Sequence, residues 1–503
     1  MALSLTNTLT QKKEIFKPLG DTVKIYICGM TVQGPPHFGH MRAYVTADIL
    51  LRYLEFSGYK MRSIQNFTDI DDKVIEKSLE EKIDYRIIAE RNMQEYFEVA
   101  DKMNIRRADI YPKATQHIQE IIELIQKLVD KGYAYEAGGD IYFAVDKFSD
   151  YGKLSKKKLD DLIAGARVEV REQKKNPADF ALWKTSKPKE PYWESPWGQG
   201  RPGWAIECSA MSMHYLGETL DLHLGGEDLI FPHHENEIAQ SEAATGKPFV
   251  RYWIHNSMLN LTGEKMSKST KHFITAKELL EKYKYPNILR LYFLKSHYRS
   301  PQEFDFEILD SNKESWARIE EFLYKAEEMK AEEKLLSNQA IKSFREAMDD
   351  DLNTPKVIAM IFDAVKDGFA AIQNKNIDNL TKTYTEVLFN LRNLGFKTDI
   401  TSRMTKFLSI KVPLHIRAKV ELVVFSPKIA KVLALAQSKN ENNIVYLLEK
   451  GQKEKDYQLF VIARELARAK KHFNIADLIR EGLEEMGFTL EDTDKGTRIK
   501  RKS

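Results

Sequence analysis

Residues 22–40 read TVKIYICGMTVQGPPHFGH and carry the first indication of the fold class. The alternating, β-branched residues 22–28 predict a strand that ends at Cys28. The glycines and prolines that follow break the strand, and beyond His37 apolar residues recur at helical spacing. A strand, a glycine-bearing turn and a helix are the opening unit of a nucleotide-binding α/β domain. Ligands of such domains bind at the carboxyl ends of strands and at helix N-termini.

This turn lacks both common phosphate-binding fingerprints, GxGxxG and GxxxxGK(S/T), so ordinary dinucleotide or P-loop chemistry is not favoured. It carries instead His37 and His40, three residues apart at the predicted helix start. Histidines in this position could be metal ligands, core residues or phosphate contacts, and the local sequence leaves all three roles open.

Length and composition limit the class of protein. The chain has 503 residues, too many for one hydrophobic core, so several domains are expected. Its 30% charged and 43% hydrophobic residues are typical of a folded soluble protein. No apolar run reaches the roughly 18 residues of a transmembrane helix, and residues 1–8 do not resemble a signal peptide. We therefore expect a cytoplasmic protein with no membrane partner.

The net charge is +3, which excludes binding of nucleic acid through bulk charge alone. An RNA partner would need a local basic surface. Candidates are the basic stripe of the helical-looking residues 463–473 and the tail 495–502.

The two cysteines, Cys28 and Cys208, are too few for a disulfide framework, and both lie beside glycine-rich, polar sequence. Farther along, His233 and Glu237 are four residues apart, so on a helix they would project from one face. The four side chains together could form a site of two thiolates, an imidazole and a carboxylate, a set that suits zinc. The spacing alone leaves buried structural cysteines as an equal alternative.

A polar loop at residues 263–270 contains Lys265 and Lys268. It could be a solvated connection, or it could close over a triphosphate, where lysine charges are effective.

These segments together resemble a known family. HFGH at 37–40 followed by KMSKS at 265–269 is the paired signature of the class I aminoacyl-tRNA synthetases. Further segments are similar to the cysteinyl-tRNA synthetases: CGMTV at 28–32, NFTDIDDK at 66–73, residues 203–211, FPHHENE at 231–237 and MDDDLNTP at 348–355.

The resemblance implies roles for residues at matching positions. The metal ligands would be Cys28, Cys208, His233 and Glu237. The residues that bind the substrate cysteine would be Gly29, Thr68, Trp204, His223 and Asp228. ATP would be bound by His37, Gly39, His40, Lys265, Met266, Ser267, Lys268 and Ser269, with His37, His40, Lys265 and Lys268 as the catalytic residues.

The resemblance also implies an activity: ATP-dependent activation of L-cysteine to cysteinyl adenylate, then transfer of cysteine to the 3′ end of tRNA(Cys). One Zn²⁺ per chain and Mg²⁺ with ATP are the expected cofactors, and a monomer is expected. Zinc would supply selectivity, because a zinc-bound thiol ionises where the hydroxyl of serine would not.

The implied fold class is α/β, with a Rossmann-like nucleotide-binding catalytic domain, an α-helical bundle and a small C-terminal domain. The catalytic domain would span residues 1–306, with an inserted connective subdomain at about 115–200 and the KMSKS loop region at 255–306. A helical bundle that contacts tRNA would follow at 307–397. An anticodon-binding region with an extended linker segment would occupy 398–503.

Two other functions fit part of this pattern. One is a ligase that joins activated cysteine to an amino sugar, as in the mycothiol pathway, but a basic C-terminal helical module favours tRNA as the acceptor. The other is a non-catalytic RNA-binding zinc protein, but the chain keeps both signature histidines and both signature lysines. The chain departs from the family pattern at Ala205, where histidine is common, and at Lys271 and His272, where glycine and asparagine are usual. The segment 398–455 also looks longer than in typical bacterial members.

Overall fold

The computed structural model describes residues 2–156, 174–261 and 274–398. Nearer the C-terminus it describes residues 460, 463–464, 467–468, 473–485, 488–493 and 496–501. The chain divides into two units, Met1–Thr398 and Asp399–Ser503.

The strands are β1 Ser4–Asn7, β2 Lys12–Ile15, β3 Thr22–Ile27, β4 Lys60–Gln65, β5 Ala134–Ala137, β6 Asp140–Phe143, β7 Phe180–Thr185, β8 Gly200–Pro202, β9 Leu220–Gly226, β10 Val250–Asn256, β11 Leu259–Leu261, β12 Gln302–Phe304, β13 Phe488–Thr493 and β14 Gly496–Arg501. The α-helices are α1 Phe38–Phe56, α2 Asp72–Glu81, α3 Tyr85–Lys102, α4 Ile118–Asp130, α5 Trp204–Leu216, α6 Glu235–Thr245, α7 Ala276–Tyr283, α8 Pro286–Leu294, α9 Phe306–Glu328, α10 Asn338–Met348, α11 Thr354–Gln373, α12 Ile377–Asn393 and α13 Phe473–Glu485.

A parallel sheet with strand order β10-β9-β3-β4 forms the centre of the first unit. Strand β3 ends at Ile27, one residue before the predicted end, and pairs with β4 and β9 on its two sides. Residues of β3 and β9 such as Ile25 and Leu222 are fully buried, as expected for inner strands of a parallel sheet. The predicted α/β class with a Rossmann-like parallel sheet is confirmed.

Helix α1 begins where the sequence predicts it. His37 is the N-cap residue: its side chain accepts a hydrogen bond from the His40 N–H, and the His40 side chain accepts one from the His37 N–H. This reciprocal arrangement is a capping box built from two histidines. The N-terminus of α1 therefore lies at the carboxyl end of the sheet, where a parallel α/β fold binds its ligands.

A second, antiparallel sheet with strand order β5-β6-β7-β8 interrupts the alternation of parallel strands and helices. It packs with α4 around its own apolar cluster, which includes Ile125, Phe143 and Trp183. These elements lie almost entirely within the predicted insertion at 115–200, although β8 ends at Pro202. The exact bounds of a connective subdomain stay a prediction.

Helices α9 to α12 follow the parallel sheet. Asn353 caps α11 by accepting a hydrogen bond from the Lys356 N–H, and Pro355 lies in the first turn, so α11 begins as a new helix after α10. Side chains of these helices, such as Trp316 and Leu391, belong to the same apolar core as Leu50 of α1. The predicted domains 1–306 and 307–397 thus share one core within the unit Met1–Thr398.

In the second unit, β13 and β14 form an antiparallel pair, and α13 contacts β13. Ala463, Ala467, Ile479 and Leu483 are buried there. The predicted linker segment 398–455 lies, apart from Thr398, outside the described residues. Among the helices that the structure describes, none combines the length and apolar character of a membrane span.

Candidate active site

A cavity of about 400 Å³ opens at the carboxyl end of the parallel sheet. Cys28 follows β3, Gly226 ends β9 and Asn256 ends β10, so three neighbouring strands deliver residues to one edge. The predicted site residues that line the cavity are Cys28, Gly29, His37, Gly39, His40, Trp204 and Asp228. Cys28 of the predicted metal site and His37, Gly39 and His40 of the predicted ATP site thus line the same cavity.

The rings of His37 and His40 stack with their centroids 3.4 Å apart. In each ring Nδ1 accepts a backbone N–H, at 3.2 Å for His37 and 3.3 Å for His40. Burial lowers the pKa of His37 to about 4, and burial together with the neighbouring His37 lowers the pKa of His40 well below its usual value. Both rings are therefore neutral at pH 7. Because Nδ1 is an acceptor, the proton of each ring is on Nε2.

Cys28, His233, His234 and Glu237 form a buried group whose potential metal-binding atoms lie within 4.8 Å of one another. Cys28 Sγ is 3.6 Å from His233 Nε2, and Glu237 Oε1 is 3.2 Å from the same nitrogen. Burial lowers the pKa of His233, so its ring is neutral and can offer a lone pair. Three of the four predicted ligands are in this group, together with one histidine that the sequence did not single out.

Cys208, the fourth predicted ligand, lies on α5 and is completely buried. The neighbouring Cys208 lowers the pKa of Cys28, whereas burial raises the pKa of Cys208 well above its usual value. Of the two thiols, that of Cys28 is therefore the more readily ionised.

Two further buried histidines, His223 and His255, contact members of this group. His223 Nε2 is 2.9 Å from Glu237 Oε2, and His234 Nδ1 is 2.8 Å from His255 Nε2, whose ring in turn bonds Thr8. Within the described part of the chain, Glu237 Oε1 and His234 Nε2 have no hydrogen-bond partner. Glu237 Oε2 thus has a hydrogen-bond partner, whereas Oε1, the oxygen nearer to Cys28 and His233, has none.

Two glycines allow the backbone to approach this region closely. A Cβ added at Gly29 would lie 1.6 Å from the carbonyl oxygen of Asn66, whose side chain accepts a hydrogen bond from the Gly29 N–H at 2.7 Å. A Cβ added at Gly226 would lie 2.4 Å from Asp228 Oδ1. The loop after β3 can take its position only with glycine at residue 29, whereas at Gly226 the side chain of Asp228 would have to move.

Some of the residues predicted to bind cysteine line the cavity, whereas others are buried outside its lining. Trp204 is 41% exposed at the cavity, with its ring 4.2 Å from that of His233, and Asp228 lines the same cavity. Thr68 and His223 are buried and are not among the described lining residues. Thr68 Oγ1 donates to Glu207 Oε1 at 2.5 Å, and His223 bonds Glu237, so both contact other side chains of the site.

The predicted ATP-binding residues Lys265, Met266, Ser267, Lys268 and Ser269 lie outside the described residues. The segments on either side of them are described. Met258, Leu259 and Ile274 line the cavity together with His37 and His40. Both ends of the segment that carries the KMSKS sequence therefore reach this cavity.

Comparison with known proteins identifies the family. Residues 15–314 match the family described as tRNA synthetases class I (C) catalytic domain, and residues 343–394 match the DALR domain. The cysteine–tRNA ligase of a Sulfurihydrogenibium species is 45% identical over the full length of both chains, and that of Persephonella marina is 43% identical over the same extent. The chain belongs to the cysteine–tRNA ligase family. It is therefore a class I aminoacyl-tRNA synthetase, as the sequence motifs predict.

A solved structure supports the fold assignment for this family. Mycobacterium tuberculosis methionyl-tRNA synthetase in complex with methionyl-adenylate superimposes with a TM-score of 0.54 and 15% identity. The match covers 75% of this chain and 90% of that one. At this identity the likeness concerns the fold alone. The full-length relatives do not favour the two alternative functions, an amino-sugar ligase or a non-catalytic protein.

Sequence reasoning missed two residues of this ligase's cavity region. His234 directly follows a predicted ligand, and the doubled histidine was the available signal. Lys73 ends the NFTDIDDK segment, and it is the one lysine or arginine among the described residues that line the cavity. Its position at the start of α2, after a run of aspartates, could equally indicate a solvated helix end.

A second group of potential ligands, His117, Glu120 and His214, lies between α4 and α5. It differs from the first because His117 Nδ1 already bonds the Lys113 carbonyl and Nε2 already bonds the Tyr215 hydroxyl. The side chain of His214 is also 44% exposed. Of the two groups, the one around Cys28 is therefore the better candidate for a metal site.

Proposed function

We propose that this chain activates L-cysteine with ATP to cysteinyl adenylate and then transfers the cysteine to the 3′ end of tRNA(Cys). One observation carries the proposal: a single cavity is lined both by Cys28 of the metal-binding group and by the histidine pair at the N-terminus of α1. A thiol held at one end and a triphosphate held at the other would bring a substrate carboxylate next to the phosphate that it attacks.

The donor set at Cys28 fits a zinc ion. Tetrahedral zinc, with bonds of about 2.3 Å to sulfur and about 2.0–2.1 Å to nitrogen or oxygen, separates a sulfur from a nitrogen ligand by about 3.6 Å and a nitrogen from an oxygen ligand by about 3.4 Å. The corresponding distances here are 3.6 Å from Cys28 Sγ to His233 Nε2 and 3.2 Å from His233 Nε2 to Glu237 Oε1. Glu237 Oε1 also has no hydrogen-bond partner among the described residues, as expected for a metal ligand.

Cys28, Cys208, His233 and Glu237 would hold the ion. When bound, zinc favours the ionised form of a thiol over a hydroxyl, which would select cysteine against serine. A site built around one specific bond can reject an analogue that lacks it by about 10⁴–10⁵-fold without an editing step. His234, whose Nδ1 lies 2.8 Å from His255 Nε2, would help to position this set.

The chain's own residues supply the rest of the amino-acid pocket. Asp228 lies in the cavity with its carboxylate at the edge of the loop that follows β9, where it would hold the α-ammonium group of cysteine. The ring of Trp204 lies against that of His233 and would exclude water from the part of the pocket that holds the side chain of the substrate cysteine. Gly29 lets the backbone approach closely, and Thr68 and His223 would position their neighbours Glu207 and Glu237.

At the ATP end, His37 and His40 would act as neutral hydrogen-bond donors. Each carries its proton on Nε2, and the positive end of the α1 dipole lies beside them. They would donate to phosphate oxygens as negative charge accumulates there during attack on the α-phosphorus. Because neither ring is charged, the positive charge has to come from elsewhere: from Lys265 and Lys268, from Mg²⁺ bound with ATP, and from Lys73 in the cavity wall.

The test is a comparison of Cys28→Ser with Thr31→Ser, a matched variant that lines the same cavity but lies outside the metal-binding group. Cysteine-dependent ATP–pyrophosphate exchange, the same exchange with serine, and zinc content are measured for both. We expect wild type and Thr31→Ser to hold one zinc per chain and to catalyse ATP–pyrophosphate exchange with cysteine but not with serine. Cys28→Ser should lose both the zinc and the preference for cysteine. A strong preference for cysteine without bound metal would contradict the selectivity argument.

Aminoacylation of tRNA(Cys) by the wild-type chain tests the acceptor. Transfer to tRNA is expected, and exchange activity without any transfer to tRNA would refute this part of the proposal. Raising the salt concentration should weaken tRNA binding, because phosphate contacts release counterions.

A further inference from the structure

The peptide backbone of Met258 is held on both sides by charged side chains. Its N–H donates to Glu227 Oε1 at 2.8 Å, and its carbonyl oxygen accepts a hydrogen bond from Arg42 Nη1 at 2.6 Å. Glu227 also accepts from the Ser257 hydroxyl at 2.8 Å. Hydrogen bonds to charged groups are about twice as strong as neutral ones, so this position of the backbone is strongly fixed.

Arg42 reaches this position from the helix that carries the histidine pair. It lies on α1 two residues after His40, and it is only 2% exposed. Its Nη2 donates to the carbonyl oxygen of Ser300 and, at 3.5 Å, to that of Tyr298. One guanidinium thus joins the start of β11 to the segment that leads into β12, and these two strands pair in parallel.

The bonded residues form part of the cavity wall. Met258, which is 41% exposed, and Leu259 line the cavity beside His37 and His40. At the far end of the KMSKS segment, the Phe38 N–H donates to the Ile274 carbonyl at 3.1 Å, and the Ala276 N–H donates to the Pro36 carbonyl at 2.9 Å. The backbone on both sides of that segment is therefore hydrogen-bonded to the start of α1 or to Arg42.

We propose that Arg42 and Glu227 are positioning residues for the activation step. By holding the Met258 peptide group from opposite sides, they fix the cavity wall relative to the histidine pair, and Glu227 links that wall to the neighbouring Asp228. The proposal rests on the function proposed above. Neither side chain is assigned a contact with substrate. Arg42 is buried, and its donors already bond three carbonyl oxygens. Glu227 already accepts hydrogen bonds from Ser257 and Met258.

The variant Arg42→Met removes these donors while keeping an apolar side chain of similar length. Its matched control is Arg52→Met, which removes another arginine of α1 that also donates to a backbone carbonyl, that of Asn104 at 2.7 Å. Displacement of a reacting group by about 1 Å can cost about 10²-fold in rate. We therefore expect kcat/KM for ATP in pyrophosphate exchange to fall by about 10²-fold in Arg42→Met, with the KM for cysteine within about twofold of wild type.

A double-variant cycle with Glu227→Ala separates positioning from general destabilisation. Arg42 and Glu227 hold the same peptide group, so their effects on kcat/KM for ATP should be less than additive. The effects of Arg52→Met and Glu227→Ala should simply add, and Arg42→Lys, which keeps one donor group, should restore part of the loss. Zinc content should be unchanged in all these variants.

Two results would overturn the proposal. One is that Arg42→Met melts at a lower temperature than wild type but has the same kinetics of pyrophosphate exchange as the control Arg52→Met. The other is additive effects of Arg42→Met and Glu227→Ala. Failure of the proposed function is distinguishable, because the wild-type chain itself would then show no cysteine-dependent exchange.

Discussion

His223 and Glu237 form a completely buried pair, with His223 Nε2 2.9 Å from Glu237 Oε2. Because this contact occupies one carboxylate oxygen, it turns the other toward Cys28 and His233. A histidine that the sequence assigns to the cysteine pocket thus orients a residue assigned to the metal.

This pair predicts the behaviour of His223→Asn. Loss of an outer contact to a ligand lowers metal affinity by about 10–100-fold. We expect that decrease in zinc affinity, measured by competition with a chelator. The control His117→Asn alters another buried histidine, one that is hydrogen-bonded at both ring nitrogens, and should leave zinc affinity unchanged. Equal zinc affinities in the two variants would contradict this role of His223.

The histidine pair predicts a specific pH dependence of stability. Burial lowers the pKa of His37 to about 4, whereas in the unfolded chain the ring titrates near 6.5. Between these values the unfolded chain binds a proton that the folded chain does not, so stability decreases as the pH falls from about 6.5 toward 4. His37→Asn keeps a capping side chain but removes the titrating ring. We expect its melting temperature to fall less than that of wild type between pH 7.5 and pH 5, and an equal fall would refute the assignment.

Gly29 predicts a sharp contrast between two glycines of one loop. In Gly29→Ala the new Cβ would lie 1.6 Å from the Asn66 carbonyl oxygen, so the loop would have to move away from the end of β4. In Gly34→Ala the new Cβ would meet nothing within 4 Å. We expect Gly29→Ala to lose cysteine-dependent exchange and Gly34→Ala to retain it. Similar exchange rates in the two variants would show that the close approach is not needed.

A buried ion pair predicts the largest loss of stability. Arg290 donates to Asp48, and its other nitrogens bond the carbonyl oxygens of Leu394 at 2.5 Å and Met103 at 3.1 Å. Removing one partner of a buried pair costs about 3–5 kcal/mol, and Asp48 would keep only its ion pair with Arg52. Arg290→Met should therefore lower the melting temperature far more than Arg91→Met, which breaks a partly exposed pair with Glu81 and costs about 0–1 kcal/mol. A comparable shift in the two variants would contradict this account.

The sequence predicted those parts of the site that depend on local pattern and ligand chemistry. The strand that precedes Cys28 and the helix that begins after His37 follow from residue spacing. The approach of Cys28 to His233 was inferred from the kind of ligands that zinc prefers, and the sheet brings them together.

Other features depend on contacts between distant parts of the chain. The bond between Thr68 and Glu207 joins residues 139 positions apart, and that between Arg42 and Met258 joins residues 216 positions apart. No periodicity or motif contains such pairings, since each partner alone is an ordinary residue of its strand, helix or loop. The sequence likewise contains no sign that Thr68 contacts Glu207 or that His223 contacts Glu237, and their assignment to cysteine binding stays a prediction.

The common core of α1 and the later helices limits how this enzyme can be dissected. Trp316, Ile361 and Leu391 pack in the same cluster as Leu50 and Leu54. A fragment truncated at residue 306 would lose these partners. The apolar face of α1, the helix that begins at the histidine pair His37 and His40, would then be exposed to solvent. A minimal activating enzyme made from this chain would thus have to keep helices α9 to α12, or have that flank redesigned with polar side chains.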